Sequence, residues 1–235
     1  MEISKKAGID LIKHATSVTF LTGAGASTPS GIPDYRSLSG VYHGQERPEY
    51  LLSRTALLRE PAAFYEFVKR LYHPEAKPNV IHQTMHTLAT TQQVQIVTQN
   101  IDQLHRQAGS SQLVEFHGTL YRCSCLACGQ AVSWQAYLKS DRHLHCGGQL
   151  RPEIVLYEEG FADEVIQQAL AYTAAADLIV IVGTSFQVAP FNQLTESVPA
   201  TPVLVINQEP IYLSRPYSLV LGDAADFFQL LEETL

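Results

Sequence analysis

The sequence predicts an α/β protein: a doubly wound parallel sheet with a smaller helical and metal-binding module set into it. Three observations carry that expectation. Runs such as Leu178-Ile179-Val180-Ile181-Val182 and Val203-Leu204-Val205-Ile206 are apolar without alternation, the pattern of strands covered on both faces. Segments with apolar residues at helical spacing separate them. All four cysteines, Cys123, Cys125, Cys128 and Cys146, fall in one stretch.

Residues 3–15 read as an amphipathic helix. Val18-Thr19-Phe20-Leu21 reads as a buried strand ending in Gly23-Ala24-Gly25-Ala26-Ser27, with a helix expected after that turn. Residues 31–50, rich in Gly, Pro, Ser and Tyr, are expected to form a long loop, a feature that is often functional. Helices are expected at about 48–59, 61–72 and 79–90, punctuated by Pro48, Pro61 and Pro78. Strand 94–98, a short helix near 102–108 and strand 112–116 follow, then the cysteine-bearing segment 119–152. The alternation resumes with Ile154-Val155-Leu156 as a strand, helix 161–175, strands 178–182, 203–206 and 218–221, and helix 223–234. The large part is expected at about 1–35, 81–118 and 153–235 and the small module at about 36–80 and 119–152, with a ligand cleft between them.

With 235 residues, 46% of them apolar and 17% charged, the chain should fold as one well-cored domain carrying an insertion. The formal net charge of -7 and the lack of any block of Lys and Arg argue against nucleic-acid and membrane partners. No apolar run is long enough to span a membrane, and the first residues lack the apolar core of a signal peptide, so a cytoplasmic location is expected. The clustered cysteines suit a metal better than a disulfide framework. The sequence ends close to the last predicted helix, with no long tail to drive assembly; the oligomeric state is left open, a monomer being favoured over an assembly.

Gly23 and Gly25 follow a strand, where bare backbone N–H groups can approach an anion. A dinucleotide fingerprint would put a third glycine at 28, where Thr28 stands, so this turn alone does not specify a nucleotide site. In TQNIDQLH, at 98–105, two amides and a carboxylate crowd a strand end, which is where open α/β sheets bind ligands. A helix cap by Asn100 or Asp102 is the plainer explanation.

The longer string GAGASTPSGIPDYRS, at 23–37, resembles the signature of the sirtuins, NAD-dependent protein deacylases. TQNID at 98–102, FHG at 116–118, LRPEIV at 150–155, GTS at 183–185, Asn207 after a strand and GDA at 222–224 match the same family in the same order. The resemblance covers nearly the whole chain. It implies a Rossmann-like domain that takes NAD as a consumed co-substrate. By that resemblance Gly23, Ala24, Gly25 and Ala26 would hold the pyrophosphate, and Asp34, Tyr35 and Arg36 would belong to the loop covering the cofactor. Gln99 and Asn100 would contact the nicotinamide-side ribose, and Ile101 and Asp102 the carboxamide. Gly183, Thr184, Ser185, Asn207 and Gln208 would line the adenosine side, with Ala224 near adenine.

His117 would be the general base, with Asn100 also in a catalytic role; a histidine titrates near neutral pH and so can accept a proton under working conditions. The family's chemistry begins when the acyl oxygen of an acyl-lysine attacks C1′ of the ribose, nicotinamide leaves and an alkylimidate forms. His117 then helps deprotonate a ribose hydroxyl, which attacks the imidate carbon. Water completes the transfer, giving free lysine, nicotinamide and O-acetyl-ADP-ribose when the acyl group is acetyl. The implied partners are acyl-lysine-bearing proteins or peptides, and a bacterial source fits the compact chain.

Val155 and Tyr157 match positions that line the acyl-lysine channel. Here the sequence departs from the family. Ile154-Val155-Leu156-Tyr157-Glu158-Glu159 stands where Val-Val-Trp-Phe-Gly-Glu is usual, so Glu158 replaces a glycine and is expected to alter docking of a peptide as an added strand. Tyr35 and Tyr157, both replacing Phe, add hydroxyls that bear on acyl preference. Members that favour acidic acyl groups carry Tyr-x-x-Arg; this chain has Tyr65 and then Val68, so succinyl-lysine is expected to be a poor substrate.

Cys125, Cys128 and Cys146 have spacing suited to tetrahedral zinc. The family's second Cys-x-x-Cys reads His143-Leu144-His145-Cys146 here. One structural zinc on Cys125, Cys128, His143 and Cys146 is therefore expected, with Cys123 and His145 as rival fourth ligands and a degenerate, metal-free site as the alternative. Two other functions stay in view. Mono-ADP-ribosyl transfer or NAD hydrolysis would use the same cofactor site, and Glu158 keeps it open. A non-catalytic NAD sensor or zinc-ribbon interaction module would not need Asn100, Asp102 and His117, all of which are present.

Overall fold

The computed structural model describes residues 1–33 and 48–235. In chain order its strands are β1 (Ser17–Thr22), β2 (Gln93–Thr98), β3 (Leu113–Glu115), β4 (Gly118–Cys125), β5 (Ala131–Ser133), β6 (Leu150–Ile154), β7 (Leu178–Val182), β8 (Val203–Asn207) and β9 (Ser218–Leu221). The helices are α1 (Lys5–His14), α2 (Pro48–Leu51), α3 (Arg54–Arg59), α4 (Pro61–Arg70), α5 (Val80–Leu88), α6 (Leu104–Gln107), α7 (Trp134–Lys139), α8 (Asp163–Ala175) and α9 (Ala224–Glu232).

The main sheet runs β3-β2-β1-β7-β8-β9, and every pair in it is parallel. All residues of β1 and β7 are buried, which is why their sequences do not alternate. Val18, Phe20 and Val180 face α1, α5 and α9 through Ile12, Met85, Phe227 and Leu231. Leu21, Val97, Ile179 and Ile181 face the other way, onto Ala169 and Ala176 of the α8 layer and onto Phe191. Each large side chain fully buried in these two layers stabilises the fold by about 1.5–3 kcal/mol.

A second sheet, β5-β4-β6, is antiparallel. It packs with α3, α4 and α7 around Leu57, Phe64, Val68, Tyr72, Leu120, Tyr137 and Leu150. The Tyr72 hydroxyl is buried there and donates to Leu120 O at 2.5 Å. No helix among the described residues is long and apolar enough to cross a membrane.

Three expectations need correction. The helix expected over 48–59 is broken into α2 and α3. Ser53 takes extended backbone between them and caps α3, accepting from Ala56 N at 3.0 Å. The strand expected at 154–156 is β6, which ends at Ile154 and belongs to the antiparallel sheet. A short apolar run reads the same in either sheet, and here Ile154 and Leu156 are drawn into the small core. The glycine turn leads into two 3-10 turns, Ala24–Ala26 and Thr28–Ser30, where a helix was expected. Gly31, at φ +83°, closes the second.

Candidate functional site

The loops after β1, β2, β7, β8 and β9 all leave the carboxyl edge of the parallel sheet. They meet the 154–159 segment around a cavity of about 1090 Å³. The chain turns from β1 to β2 on one side and β7 lies on the other, so the cavity sits at the switch point where such sheets bind ligands. Its size reaches the upper end of ordinary small-molecule sites and leaves room for two substrates.

The floor is made of backbone. Gly25 N donates to Gly183 O at 2.8 Å, and Gly23 N to Val182 O at 3.1 Å. Gly183 holds φ +58°, and a Cβ on it would come within 2.6 Å of Ala26 N and Gly25 C. A side chain at this crossing would push the two loops apart, so glycine is what lets them approach this closely at the edge of the cavity.

The set of polar groups after β2 is wired to that floor. The Asn100 amide donates to Gly23 O and to Ser27 Oγ, both at 2.9 Å. Ser27 Oγ donates in turn to Asp102 Oδ2 at 2.6 Å, and Leu104 N donates to Asp102 Oδ1 at 2.8 Å. Burial holds the Asp102 carboxyl above its ordinary range, while the bonds from Ser27 and Leu104 pull it down. Gln99 Nε2 donates to Thr184 Oγ1 at 3.0 Å, tying the β2 loop to the β7 loop. Beneath, Asn100 N donates to Thr98 Oγ1 at 3.0 Å, and Thr98 meets Thr22 and then His105 Nε2 in a buried chain at 2.8 and 3.0 Å.

His117 ends the short link between β3 and β4. Its Nδ1 lies 3.0 Å from Gln99 O. A carbonyl only accepts, so Nδ1 carries a proton here, and in the neutral ring the lone pair falls to Nε2. Phe116, Phe161 and Phe191 surround the ring at centroid distances of 5.6, 5.7 and 6.5 Å. Gly118 follows at φ +77°, and a Cβ there would strike the carbonyl of Glu153 on β6. The histidine is thus held where the two sheets join, and Val155 N donates to its carbonyl at 2.9 Å.

The opposite wall is the 155–158 segment. Tyr157 N donates to Leu52 O and Arg54 N to Tyr157 O, both at 3.0 Å. Glu158 adopts φ +73°, the conformation a glycine would take most readily. Its carboxylate accepts from Thr55 N at 2.9 Å and Thr55 Oγ1 at 2.7 Å, which secures the left-handed backbone against the first turn of α3.

Away from the cavity, Cys125 Sγ, Cys128 Sγ, His143 Nδ1 and Cys146 Sγ lie within 4.8 Å of one another. Adjacent ligand atoms are 3.2–3.5 Å apart. Tetrahedral zinc with bonds of about 2.0–2.3 Å needs edges of roughly this size, so the four donors fit the ion. Gly148 sits against them: a Cβ there would be 2.6 Å from Cys125 Sγ. Neither rival ligand joins the cluster. Cys123 is buried with its thiol 3.6 Å from Leu120 O and from the Tyr72 hydroxyl, and burial pushes that thiol up to about 11.

The family model of the Sir2 family matches residues 23–190. An NAD-dependent protein deacetylase of Enterococcus faecalis is 54% identical over 97% of this chain and 96% of its own. The chain belongs to the Sir2 family. A Listeria monocytogenes relative, also an NAD-dependent protein deacetylase, is 50% identical over 94% of this chain and 97% of its own. A Sir2 solved with a p53 peptide and NAD+ superposes at a TM-score of 0.86, with 26% identity over 99% of this chain and 98% of that one.

Most of the residues singled out by the Sir2 resemblance meet at the cavity. Gly23, Ala24, Gly25, Gln99, Asn100, Ile101, Asp102, His117, Gly183, Thr184, Ser185, Asn207, Gln208, Ala224, Val155 and Tyr157 all line it. Ala26 does not: the 3-10 turn points it inward, and it is fully buried in the sheet's core. Asp34, Tyr35 and Arg36 lie outside the described residues. Tyr65 and Val68 are away from the lining, the Tyr65 hydroxyl donating to Tyr137 O at 2.9 Å and Val68 fully buried. Two contributors were not foreseen from sequence. Ser27 joins Asn100 to Asp102, and the only signal for it is its place directly after the glycine turn. Phe161, against His117, sits in a stretch with no motif at all.

Proposed function

We propose that this protein is an NAD-dependent protein-lysine deacetylase. The observation that carries the reading is the hydrogen bond from His117 Nδ1 to Gln99 O, which makes Nε2 the acceptor of the neutral ring in the same cavity as Asn100 and the Ser27-bridged Asp102. NAD, when bound, supplies a ribose carbon that accepts the acyl oxygen and a nicotinamide that departs. The pyrophosphate lies along the Gly23–Gly25 turn and Gly183, which line the cavity without side chains beyond the Ala24 methyl. Asp102, with Ile101, receives the carboxamide, and Gln99 and Asn100 receive the ribose. His117 takes the proton from a ribose hydroxyl. Phe116, Phe161 and Phe191 shield that proton transfer from water.

The acyl-lysine enters along Val155 and Tyr157, carried by a protein or peptide. Among the described lining residues there is no Lys or Arg to pair with an acidic acyl group. Acetyl-lysine is the preferred substrate and succinyl-lysine a poor one. Cys125, Cys128, His143 and Cys146 hold one zinc that organises the small module and takes no part in the chemistry.

The test is an acetyl-lysine peptide incubated with NAD, following deacetylated peptide and nicotinamide by mass spectrometry, with His117→Ala alongside. Equal amounts of both products, lost in the variant, are expected. Nicotinamide release without deacetylation would replace this reading with ADP-ribosyl transfer or NAD hydrolysis.

A further inference from the structure

Asn79 lies outside every motif discussed above and does not line the cavity. It caps α5, its Oδ1 accepting from Ile81 N at 2.9 Å while His82 Nδ1 accepts from Asn79 N at 3.3 Å. The cap needs only an oxygen. The other half of the carboxamide points elsewhere: Nδ2 donates to Ala26 O at 2.9 Å and to Ser30 Oγ at 2.8 Å. Those acceptors belong to the two 3-10 turns that follow Gly23. Between them is Ser27, whose hydroxyl joins Asn100 to Asp102.

We infer that Asn79 is a positioning residue for NAD: its amide fastens the 26–30 backbone to the end of α5 and so aims Ser27 at Asn100 and Asp102. Serine, threonine and aspartate cap helices as well as asparagine does. Only asparagine also supplies two N–H donors from the same position. The helix beneath is a firm base, since Ile81 and Met85 are fully buried in the sheet's core. His82 is buried as well, and burial lowers its ring to about 4, so it stays neutral and keeps accepting from Asn79 N.

The inference rests on the NAD reading above, and its test separates the two. Asn79→Asp and Asn79→Ser each keep an oxygen for Ile81 N; neither carries a donor that reaches Ala26 O. KM for NAD and for an acetyl-lysine peptide would be measured, with NAD affinity by calorimetry and the thermal midpoint of each variant. Loss of two hydrogen bonds predicts a rise of about tenfold in KM and Kd for NAD. KM for the peptide should stay close to wild type, while the two lost bonds lower the thermal midpoint by about 3–6 °C. If both variants fold and bind NAD as wild type does, or if both KM values rise together, Asn79 only caps a helix. Should the variants not fold, Ser30→Ala removes one acceptor and leaves the cap intact. It should then raise KM for NAD about threefold, and an unchanged value overturns the inference. Wild-type protein that neither binds NAD nor releases nicotinamide would overturn the deacetylase reading itself.

Discussion

Gly118→Ala puts the coupling between fold and catalysis to a direct test. The new Cβ would lie on the Glu153 carbonyl oxygen, 3.0 Å from Glu153 C and 3.1 Å from Ile154 Cα, in a residue held at φ +77°. The left-handed backbone costs a non-glycine residue about 1–2 kcal/mol. The clash is with backbone, so it is relieved only by opening the β4–β6 crossing by roughly 1 Å, at a further cost of about 1–3 kcal/mol. A total near 3 kcal/mol lowers the midpoint of a chain this size by roughly 6–12 °C. His117 is the preceding residue and its carbonyl is bonded to Val155 across the same crossing, so it must move with the strand. If His117 is the base proposed above, a displacement of about 1 Å costs on the order of 100-fold in rate. The assay pairs thermal unfolding with kcat/KM for NAD-dependent deacetylation, taken well below the variant's midpoint. A variant with a lowered midpoint and wild-type kcat/KM would refute the claim that this crossing sets the position of His117. An unchanged midpoint would refute the clash.

Two further outcomes follow from the site. Asp102→Asn should abolish most nicotinamide release yet gain stability over wild type as pH rises. The folded carboxyl is held above its unfolded value by burial, so its favourable contribution is present below about pH 4 and is lost as pH climbs through the raised value. Denaturant titrations at acid and neutral pH check this, and a variant-to-wild-type difference that does not grow with pH counts against it. Metal analysis should find one zinc per chain, lost on Cys128→Ala or with a strong chelator. Loss should melt the small module while circular dichroism still shows much of the parallel-sheet part. A midpoint indifferent to chelator in protein shown to have held zinc would contradict a structural role.

The parallel sheet was legible because burial on both faces writes itself as unbroken apolar strands, as in Leu178–Val182. The loops around the cavity were legible because the strand end after β2 carries the polar residues Asn100 and Asp102. What escaped depends on direction more than composition. Ala26 belongs to the same small-residue string as Ala24, and only the sense of a 3-10 turn sends one inward and the other to the cavity. Ile154 and Leu156 are apolar in either sheet, and pairing with β4 decides between them. The helix breaks at Ser53 because its neighbours Leu52 and Arg54 bond to Tyr157, about a hundred residues away, which no local window contains.

The Glu158 tether also bears on motion. A glycine at this position would let the channel wall flex on its own. Here the wall and the first turn of α3 share the Thr55 bonds and the Tyr157 pairing with Leu52 and Arg54. Neither can fray without releasing the other. Opening of the wall at Tyr157 and fraying of the first turn of α3 are therefore coupled, and the amides of Thr55 and Tyr157 should exchange with solvent at a common rate.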